Sequence, residues 1–273
     1  MSSGRLRLAR VLLGSQVATM IEYRAEIALW ALSGVLPFIM LGLWSQVEGS
    51  TGAAGGVDGG AGIGLDRLQL ARYFLSAFVV RQFTIAWVVF AFEEDSLQGR
   101  LSPYLLQPLP PLWRYVAAHL AEQATRAPFV AAIAALFFLL QPWALWLPTP
   151  QRAGAALLAT ILAFTMNFLL QSCIACLCFW SERASALERL LSIPLLFLSG
   201  LVAPLETFPP GVRAAAQWTP FPWMIHFPAQ LLAGGSVSLA QGFAAMAAWI
   251  AVLLPLCLGL WRLGVRRYSA MGA

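Results

Sequence analysis

Six long apolar stretches, separated by short polar segments, constrain the fold of this chain more than any other feature of its sequence. They cover residues 26–47, 70–92, 115–140, 153–180, 187–203 and 239–262. A helix of roughly 20 apolar residues crosses a hydrocarbon core about 30 Å thick, and each stretch is close to that length. The sequence therefore predicts an all-α integral membrane protein with six transmembrane helices.

The composition agrees with this prediction. The chain of 273 residues is 60% hydrophobic and only 11% charged, whereas soluble domains are about 45–50% apolar and about 25% charged. Six spans leave no room for a sizeable soluble domain, so we expect a single transmembrane domain over residues 1–273. Within it, residues 26–262 carry the spans and residues 263–273 form a tail.

The two segments that flank the first stretch have distinct patterns. Residues 5–24 mix apolar and charged side chains in the pattern of an amphipathic helix, which predicts an interfacial helix within residues 1–25. Half of residues 49–64 are glycine, which predicts a flexible, exposed loop between the first two spans.

Arginines near the span ends are unevenly distributed, and this predicts the orientation of the chain. One side collects Arg5, Arg7, Arg10, Arg24, Arg100, Arg114, Arg183, Arg189, Arg262, Arg266 and Arg267, and the other only Arg67, Arg72, Arg152 and Arg213. Positively charged loops stay in the cytoplasm, so we expect both termini and the loops 93–114 and 181–189 to be cytoplasmic. The net charge of +5 then faces anionic lipid, and we expect no nucleic-acid partner because no basic patch lies outside these positions.

Residue counts disfavour several kinds of enzyme. All 17 basic residues are arginine, so the chain has no lysine for a P-loop or a Schiff base. Its two histidines, His119 and His226, cannot build a three-histidine zinc site. An enzyme that acts on a diphosphate would use aspartates to hold a divalent metal. The three aspartates of this chain all lie outside the predicted spans. We expect a chain that is not an enzyme and binds no metal or cofactor, so a partner would have to bind any ATP.

Four cysteines leave two interpretations open. Cys173, Cys176 and Cys178 lie in the fourth stretch and Cys257 in the sixth. Buried free thiols that pack as small apolar side chains are the favoured interpretation, and a redox or metal site is the alternative.

The connection between the second and third stretches combines acidic, apolar and helix-breaking residues. Glu93, Glu94 and Asp95 are expected to cap the N-terminus of a short helix. Glycine and proline then interrupt the backbone, at Gly99, Pro103, Pro108, Pro110 and Pro111. Leu101, Leu105 and Leu106 are expected to form an apolar patch. The pattern fits either a docking element for a soluble partner or an ordinary interfacial loop.

Residues 198–235 contain six prolines among apolar and aromatic side chains. Such a segment cannot form one continuous helix, so we expect a hairpin of short helices that re-enters the outer leaflet between the fifth and sixth spans. Four aromatic side chains would lie at the outer interface, namely Trp218, Phe221, Trp223 and Phe227. The segment would act as a lid over a pathway or as a simple anchor.

Polar side chains inside the apolar stretches are costly and therefore informative. Arg81 lies near the middle of the second stretch and must face an interior or pair with a carboxylate. Glu122 and Arg126 are four residues apart, which predicts an internal ion pair. Asn167 and Gln171 lie one turn apart and either bond across a helix interface or line a path. Arg81, Asn167 and Gln171 are thus candidates for a translocation path.

Taken together, these patterns resemble the permease subunit of an ATP-binding cassette transporter of the type 2 exporter (ABC-2 type) family. The resemblance covers nearly the whole chain. It rests on the amphipathic N-terminal segment, on the connection between spans two and three, and on LSGLVAPLETFPPGVRAAAQWTPFPWMI between spans five and six. The residues that match the family's cytoplasmic coupling helix are Glu93, Glu94, Gly99, Leu105, Leu106 and Pro108.

The resemblance implies a multi-pass permease of the bacterial cytoplasmic (inner) membrane that takes part in export. Two permease chains would form the path, a homodimer being favoured over a heterodimer, and two separate ATPase subunits would dock on the coupling helices. ATP and magnesium would bind to those ATPases. Nothing in the sequence selects the transported substrate.

Two other classes remain open. An ion-coupled secondary transporter would need a coupling-ion site between internal repeats, but the chain has no evident repeat and no acidic residue in the middle of a span. A membrane-embedded enzyme would need a cluster of catalytic side chains, and only Arg81, His119 and Glu122 are candidates.

Overall fold

Every element of regular secondary structure in the described part of the chain is a helix. The computed structural model describes residues 35–53, 66–181 and 183–268, together with isolated positions between 11 and 29. The helices are α1 Leu36–Ala53, α2 Arg67–Thr84, α3 Val88–Leu97, α4 Leu101–Leu105, α5 Leu112–Leu140, α6 Pro150–Cys176, α7 Ser185–Leu198, α8 Pro210–Gln217, α9 Phe221–Met224, α10 His226–Ala233 and α11 Leu239–Arg267. Over these residues, the prediction of an all-α protein is confirmed.

Four helical segments of the described chain are long and apolar enough to cross a membrane. They are Arg67–Leu97, Leu112–Leu140, Pro150–Phe179 and Leu239–Arg267, which correspond to the predicted second, third, fourth and sixth spans. These segments confirm a multi-pass membrane protein, but not the count of six.

The other two predicted spans correspond to shorter helices within the described residues. The fifth, predicted over 187–203, becomes α7 with 14 residues, because Gly200 adopts φ 84 just after the helix ends and the backbone turns away there. For the first, the described apolar helix covers Leu36–Gln46, and most of residues 26–34 lie outside the described residues.

Two other predictions concern residues that are described partly or not at all. The predicted interfacial helix is described at 13–18 and 20–22, which are helical, and residues 1–10 lie outside the described part. Most of the glycine-rich stretch 49–64 also lies outside it.

The helix α2 lies at the centre of the core. Its side chains Tyr73, Phe74 and Val80 are buried against Met166 of α6 and Leu231 of α10. Within Arg67–Leu97, 61% of an apolar 18-residue window is buried. The corresponding share for Leu239–Arg267 is 17%. The second span is therefore an interior element, whereas α11 leaves most of its apolar surface uncovered, as expected of a helix that faces lipid.

The 199–235 segment packs into this core through its last helix. It holds three short helices, α8, α9 and α10, rather than a simple hairpin. Phe227 is only 2% exposed and lies so close to Gly242 of α11 that a side chain there would collide with its ring.

This packing corrects the prediction of an aromatic belt. Phe221 and Phe227 are buried, whereas Trp218 is 85% exposed. The prolines Pro222 and Pro228 break the segment into pieces that fold back onto the core, so two of the four aromatic side chains point inwards.

Candidate functional site

The second span is interrupted near its middle. Helix α2 ends at Thr84 and α3 begins at Val88, so Ile85, Ala86 and Trp87 are not helical. No glycine or proline lies between residues 72 and 98, and the interruption therefore has no local breaker. An interrupted helix frees backbone carbonyl and N–H groups, which are costly to leave unpaired in hydrocarbon.

Side chains from α5 and α6 bond the freed backbone groups. Arg126 Nη1 donates to the carbonyl oxygen of Gln82 at 3.0 Å. Gln123 Nε2 donates to the carbonyl oxygen of Phe83 at 2.8 Å, and Asn167 Nδ2 donates to that of Thr84 at 2.8 Å. The backbone N–H of Trp87 donates to His119 Nε2 at 2.8 Å. We call these four side chains, His119, Gln123, Arg126 and Asn167, the polar cage.

The hydrogen bonds of His119 fix its tautomer. Because the N–H of Trp87 can only donate, Nε2 must be the acceptor. The other ring nitrogen, Nδ1, lies 2.7 Å from the carbonyl oxygen of Tyr115, so it carries the proton. His119 is a neutral ring that links the break to α5, and it is 6% exposed.

The predicted pair between Glu122 and Arg126 is confirmed. Arg126 Nη2 contacts the Glu122 carboxylate one turn earlier on α5, and Arg126 is 2% exposed. A buried guanidinium needs a counter-charge, and Glu122 supplies it while Nη1 reaches the break.

The three residues predicted to line a path meet at one cavity. Arg81, Asn167 and Gln171 line a space of about 320 Å³ beside the break, and Glu188 of α7 lies on its wall. Gln171 Nε2 donates to Glu188 Oε1 at 3.3 Å, so Gln171 bonds across a helix interface, as Asn167 does. Glu188 also acts electrostatically on Arg81, although no described carboxylate lies within ion-pair distance of that guanidinium.

The connection at residues 93–111 begins on the last turns of α3. Glu93 accepts hydrogen bonds from the backbone N–H of Ser185 at 2.7 Å and from its hydroxyl at 3.0 Å. Its carboxylate thus lies at the first residue of α7, where a negative charge is favoured by the helix dipole. Glu93 therefore ties α3 to α7.

The predicted capping of a short helix by the acidic cluster is wrong. All three acidic residues lie near the C-terminal end of α3, which extends to Leu97, and the following helix α4 has no side-chain cap. Glu93 caps a helix that is distant in the sequence. Glu94 and Asp95 instead accept hydrogen bonds from Arg100, at 2.9 and 2.8 Å, which raise the pKa of that guanidinium.

The predicted leucine patch of the connection is divided. Leu101, the first residue of α4, is fully buried against Phe92 and Phe179, and Leu105 packs partly buried against the same cluster. Leu106 is 89% exposed and Leu97 is 44% exposed. The exposed apolar surface is thus Leu97 and Leu106, and Leu101 anchors the connection to the core.

Two helix breakers of the connection act as predicted. Gly99 has φ 70, a left-handed conformation that favours glycine, and it separates α3 from α4. Pro108 is exposed in the irregular stretch before α5.

A second polar cluster, not predicted from the sequence, lies beside the 199–235 segment. Tyr73 donates to the carbonyl oxygen of Gly200 at 2.6 Å and lies 3.0 Å from His226 Nδ1. Glu206 lies 3.4 Å from His226 Nε2 and accepts from Gln230 Nε2 at 2.9 Å. Burial raises the pKa of Glu206, but the hydrogen bond with His226, a backbone hydrogen bond and the nearby Arg213 together outweigh it and hold that pKa below its usual value. The cluster joins α2 to the segment.

A comparison with protein families shows which family the chain belongs to. The family model described as ABC-2 family transporter protein matches residues 68–272, which include both the interrupted span and the 93–111 connection. The chain belongs to this family. No curated protein matches it in sequence.

Membership of the ABC-2 transporter family makes this chain a multi-pass transmembrane transporter protein, as predicted. The sequence identified Arg81, Asn167 and Gln171 individually, and the structure brings them to one cavity. The sequence analysis did not identify Gln123, whose only signal was an amide one residue after Glu122 near the start of a span.

Cys173 of α6 and Cys257 of α11 share one small apolar cluster in this ABC-2 protein. All four cysteines are free, and Cys173, Cys176 and Cys257 are buried. Cys173 lies 3.7 Å from the carbonyl oxygen of Leu253. Among the residues that the structure describes, no group of three or more His, Cys, Asp or Glu side chains is placed to hold a metal ion.

Proposed function

We propose that this protein is the permease subunit of an ATP-driven ABC exporter, and that its cytoplasmic ATPase partner docks on the 93–111 connection. The single observation that carries the proposal, in a chain of this family, is that the connection combines an exposed apolar surface with a buried anchor. Leu106 and Pro108 are exposed, while Leu101 of the preceding helix α4 is fully buried. Exposed apolar side chains that directly follow a firmly anchored short helix are suited to binding a partner.

Hydrogen bonds to α5 and α7 attach the start of the connection to neighbouring helices, which supports a role in coupling. Glu93 joins α3 to the first turn of α7, and Tyr115 of α5 donates to Asp95 at 2.8 Å. A movement of docked ATPases would pass as a rigid-body shift through α3 to α7 and α5. The cavity lined by Arg81, Asn167 and Gln171 lies between the break at Ile85–Trp87, α6 and α7, so it is our proposed part of the translocation path.

The remaining parts of the proposal follow the family pattern. Six spans would place both termini and the connection in the cytoplasm of a bacterial cell. Helix α1 would belong to the first span and α7 to the fifth. Two copies of the chain would form the path and two ATPase subunits would bind ATP and magnesium, so the permease itself would need no cofactor and catalyse no reaction. The substrate is left open.

Co-purification tests the proposal. The chain is co-expressed with an ATPase subunit encoded beside it, purified in mild detergent and reconstituted into lipid. We expect a stable complex whose ATP hydrolysis depends on the permease. A folded permease that binds no such ATPase would contradict the proposal.

Variants of the two neighbouring glutamates make the test specific. The Glu94 side chain is 59% exposed, whereas Glu93 is occupied by Ser185. We expect Glu94→Arg to weaken ATPase association without lowering the thermal stability of the permease. We expect Glu93→Arg to lower thermal stability as well, because it places a cation at the N-terminus of α7. Equal ATPase binding by the wild type and Glu94→Arg would show that the docking surface does not include the end of α3.

A further inference from the structure

A cavity of about 410 Å³ lies between α1, α2 and α5, away from the path and the connection. Its walls are apolar and include Phe38, Phe78 and Phe137. The ring centroids of Phe38 and Phe78 are 4.9 Å apart, and those of Phe38 and Phe137 are 5.5 Å apart. The aromatic rings therefore form one continuous wall where the three helices meet.

One end of this cavity is polar. Arg67 is the first residue of α2, and Gln141 and Trp143 directly follow the last residue of α5. The three residues line the cavity together, so its polar end coincides with the ends of two apolar helices. In a membrane, such helix ends lie at the level of the lipid headgroups.

The polar end presents hydrogen-bond donors. The Arg67 guanidinium lies 4.6 Å from the centre of the Trp143 ring. The Trp143 indole N–H donates to Gln141 Oε1, which leaves the amide NH2 of Gln141 as a donor. No described carboxylate lies within ion-pair distance of Arg67. A cation and an amide donor together suit an anionic oxygen group such as a phosphate.

The depth of the cavity matches one leaflet. Arg67 and Phe78 are eleven residues apart on a continuous helix, which corresponds to about 16 Å at 1.5 Å per residue. Half of a hydrocarbon core is about 15 Å thick. An acyl chain whose phosphate lies at Arg67 would thus run along the aromatic wall to the middle of the bilayer.

We propose that this cavity is a binding site for an anionic phospholipid of the surrounding bilayer. Arg67 and Gln141 bind the phosphate group, and one acyl chain lies against Phe38, Phe78 and Phe137. The indole of Trp143 holds the guanidinium over its ring by a cation–π contact. This site is separate from the proposed ATPase docking, and its test needs no ATPase.

Native mass spectrometry of the delipidated full chain tests the headgroup half of the site. The probes are phosphatidylglycerol, phosphatidylcholine and glycerol phosphate without acyl chains. We expect phosphatidylglycerol to be retained most strongly. Arg67→Gln should weaken its retention about tenfold, as expected for the loss of a hydrogen bond to a charged group. The matched control Arg152→Gln, which removes the same charge from a residue outside the cavity, should leave retention unchanged.

A second pair of variants tests the acyl half. Gly42 lines the cavity, and a side chain there would meet no atom within 4 Å. Gly42→Leu should therefore fold, because leucine is a better helix former than glycine, and should fill the space that the acyl chain would occupy. Gly259→Leu is the control, since Gly259 is equally uncrowded but lies on α11.

The outcomes separate the sources of the bound group. Loss of lipid retention in Gly42→Leu but not in Gly259→Leu supports an acyl site, even if Arg67→Gln fails to fold. Retention that is unchanged in both Arg67→Gln and Gly42→Leu overturns the proposal. Glycerol phosphate that binds as well as the whole lipid also overturns it, since the site would then recognise a free phosphate group.

Discussion

The chain interrupts its helices in two places close together in sequence, and the two interruptions are built in opposite ways. At Ile85–Trp87, the freed backbone groups are bonded by side chains from two other helices. At residues 98–111, the turns come from Gly99 and from the prolines that follow α4, and half of the residues are exposed. The first interruption is held by tertiary contacts and the second by its own sequence.

This difference separates two tasks in one protein. The polar cage bonds the break beside the cavity that contains Arg81, so polar backbone can exist inside the membrane domain. The connection leaves the side chains of Leu106 and Glu94 exposed, where a partner can reach them. A single helix, α3, joins the two interruptions. A movement imposed on the connection would therefore be transmitted by α3 directly to the break.

The largest expected effect concerns the anchor of the connection. Leu101→Ala should lower the free energy of unfolding by about 3 kcal/mol, because it removes a fully buried side chain and leaves a cavity. Thermal unfolding in detergent micelles measures it. Leu106→Ala, a matched change at an 89% exposed leucine, should leave stability unchanged. Equal stability of the two variants would show that the connection is not anchored.

The next effect concerns the polar cage. Asn167→Leu should lower the free energy of unfolding by about 2 kcal/mol, because the Thr84 carbonyl loses its buried partner. Thr165→Val serves as the control, since Thr165 bonds only within its own helix. If both variants unfold at the same temperature, the break does not depend on the cage.

A smaller effect is expected where the second interruption begins. Gly99→Ala should cost about 1 kcal/mol, because a side chain is strained at φ 70. Gly99→Asn should cost less, since asparagine tolerates the left-handed conformation. Thermal unfolding of both variants checks this order, and an alanine variant as stable as wild type would contradict the local origin of the turn.

The smallest effect on stability is expected at Glu94. Its ion pair with Arg100 is exposed on both sides, and exposed pairs contribute little. Glu94→Gln should leave the thermal midpoint unchanged while it weakens association with the ATPase, as measured by co-purification. A drop in the midpoint without any change in association would make Glu94 a structural residue.

The two interruptions also differ in how far the sequence predicts them. Gly99 and the prolines carry a local signal, so the turns after residue 98 follow from the residues present. The break at Ile85–Trp87 lies within an apolar stretch without glycine or proline, and a continuous span was expected there. Its cause is a set of partners 32 to 83 residues away along the chain, which no local pattern reveals.

The polar residues of the spans were predicted in identity but not in role. Burial cost identified Arg126 and Asn167 as informative, and His119 was named only as a candidate catalytic side chain. Their bonding to one stretch of backbone required the packing of α5 and α6 around α2. The same limit applies to Glu93, whose partner Ser185 lies 92 residues away. The 14-residue length of α7 depends on the turn at Gly200, which is held by Tyr73 of α2.

Site-specific photo-crosslinking tests the central claim most directly. A benzophenone side chain replaces Leu106 in one variant and Trp218 in another, two residues that are 89% and 85% exposed. Our account places them on opposite sides of the membrane. It predicts that irradiation of the reconstituted complex joins the ATPase to position 106 and not to position 218. A crosslink at position 218, or none at position 106 in an active complex, would contradict docking on the 93–111 connection.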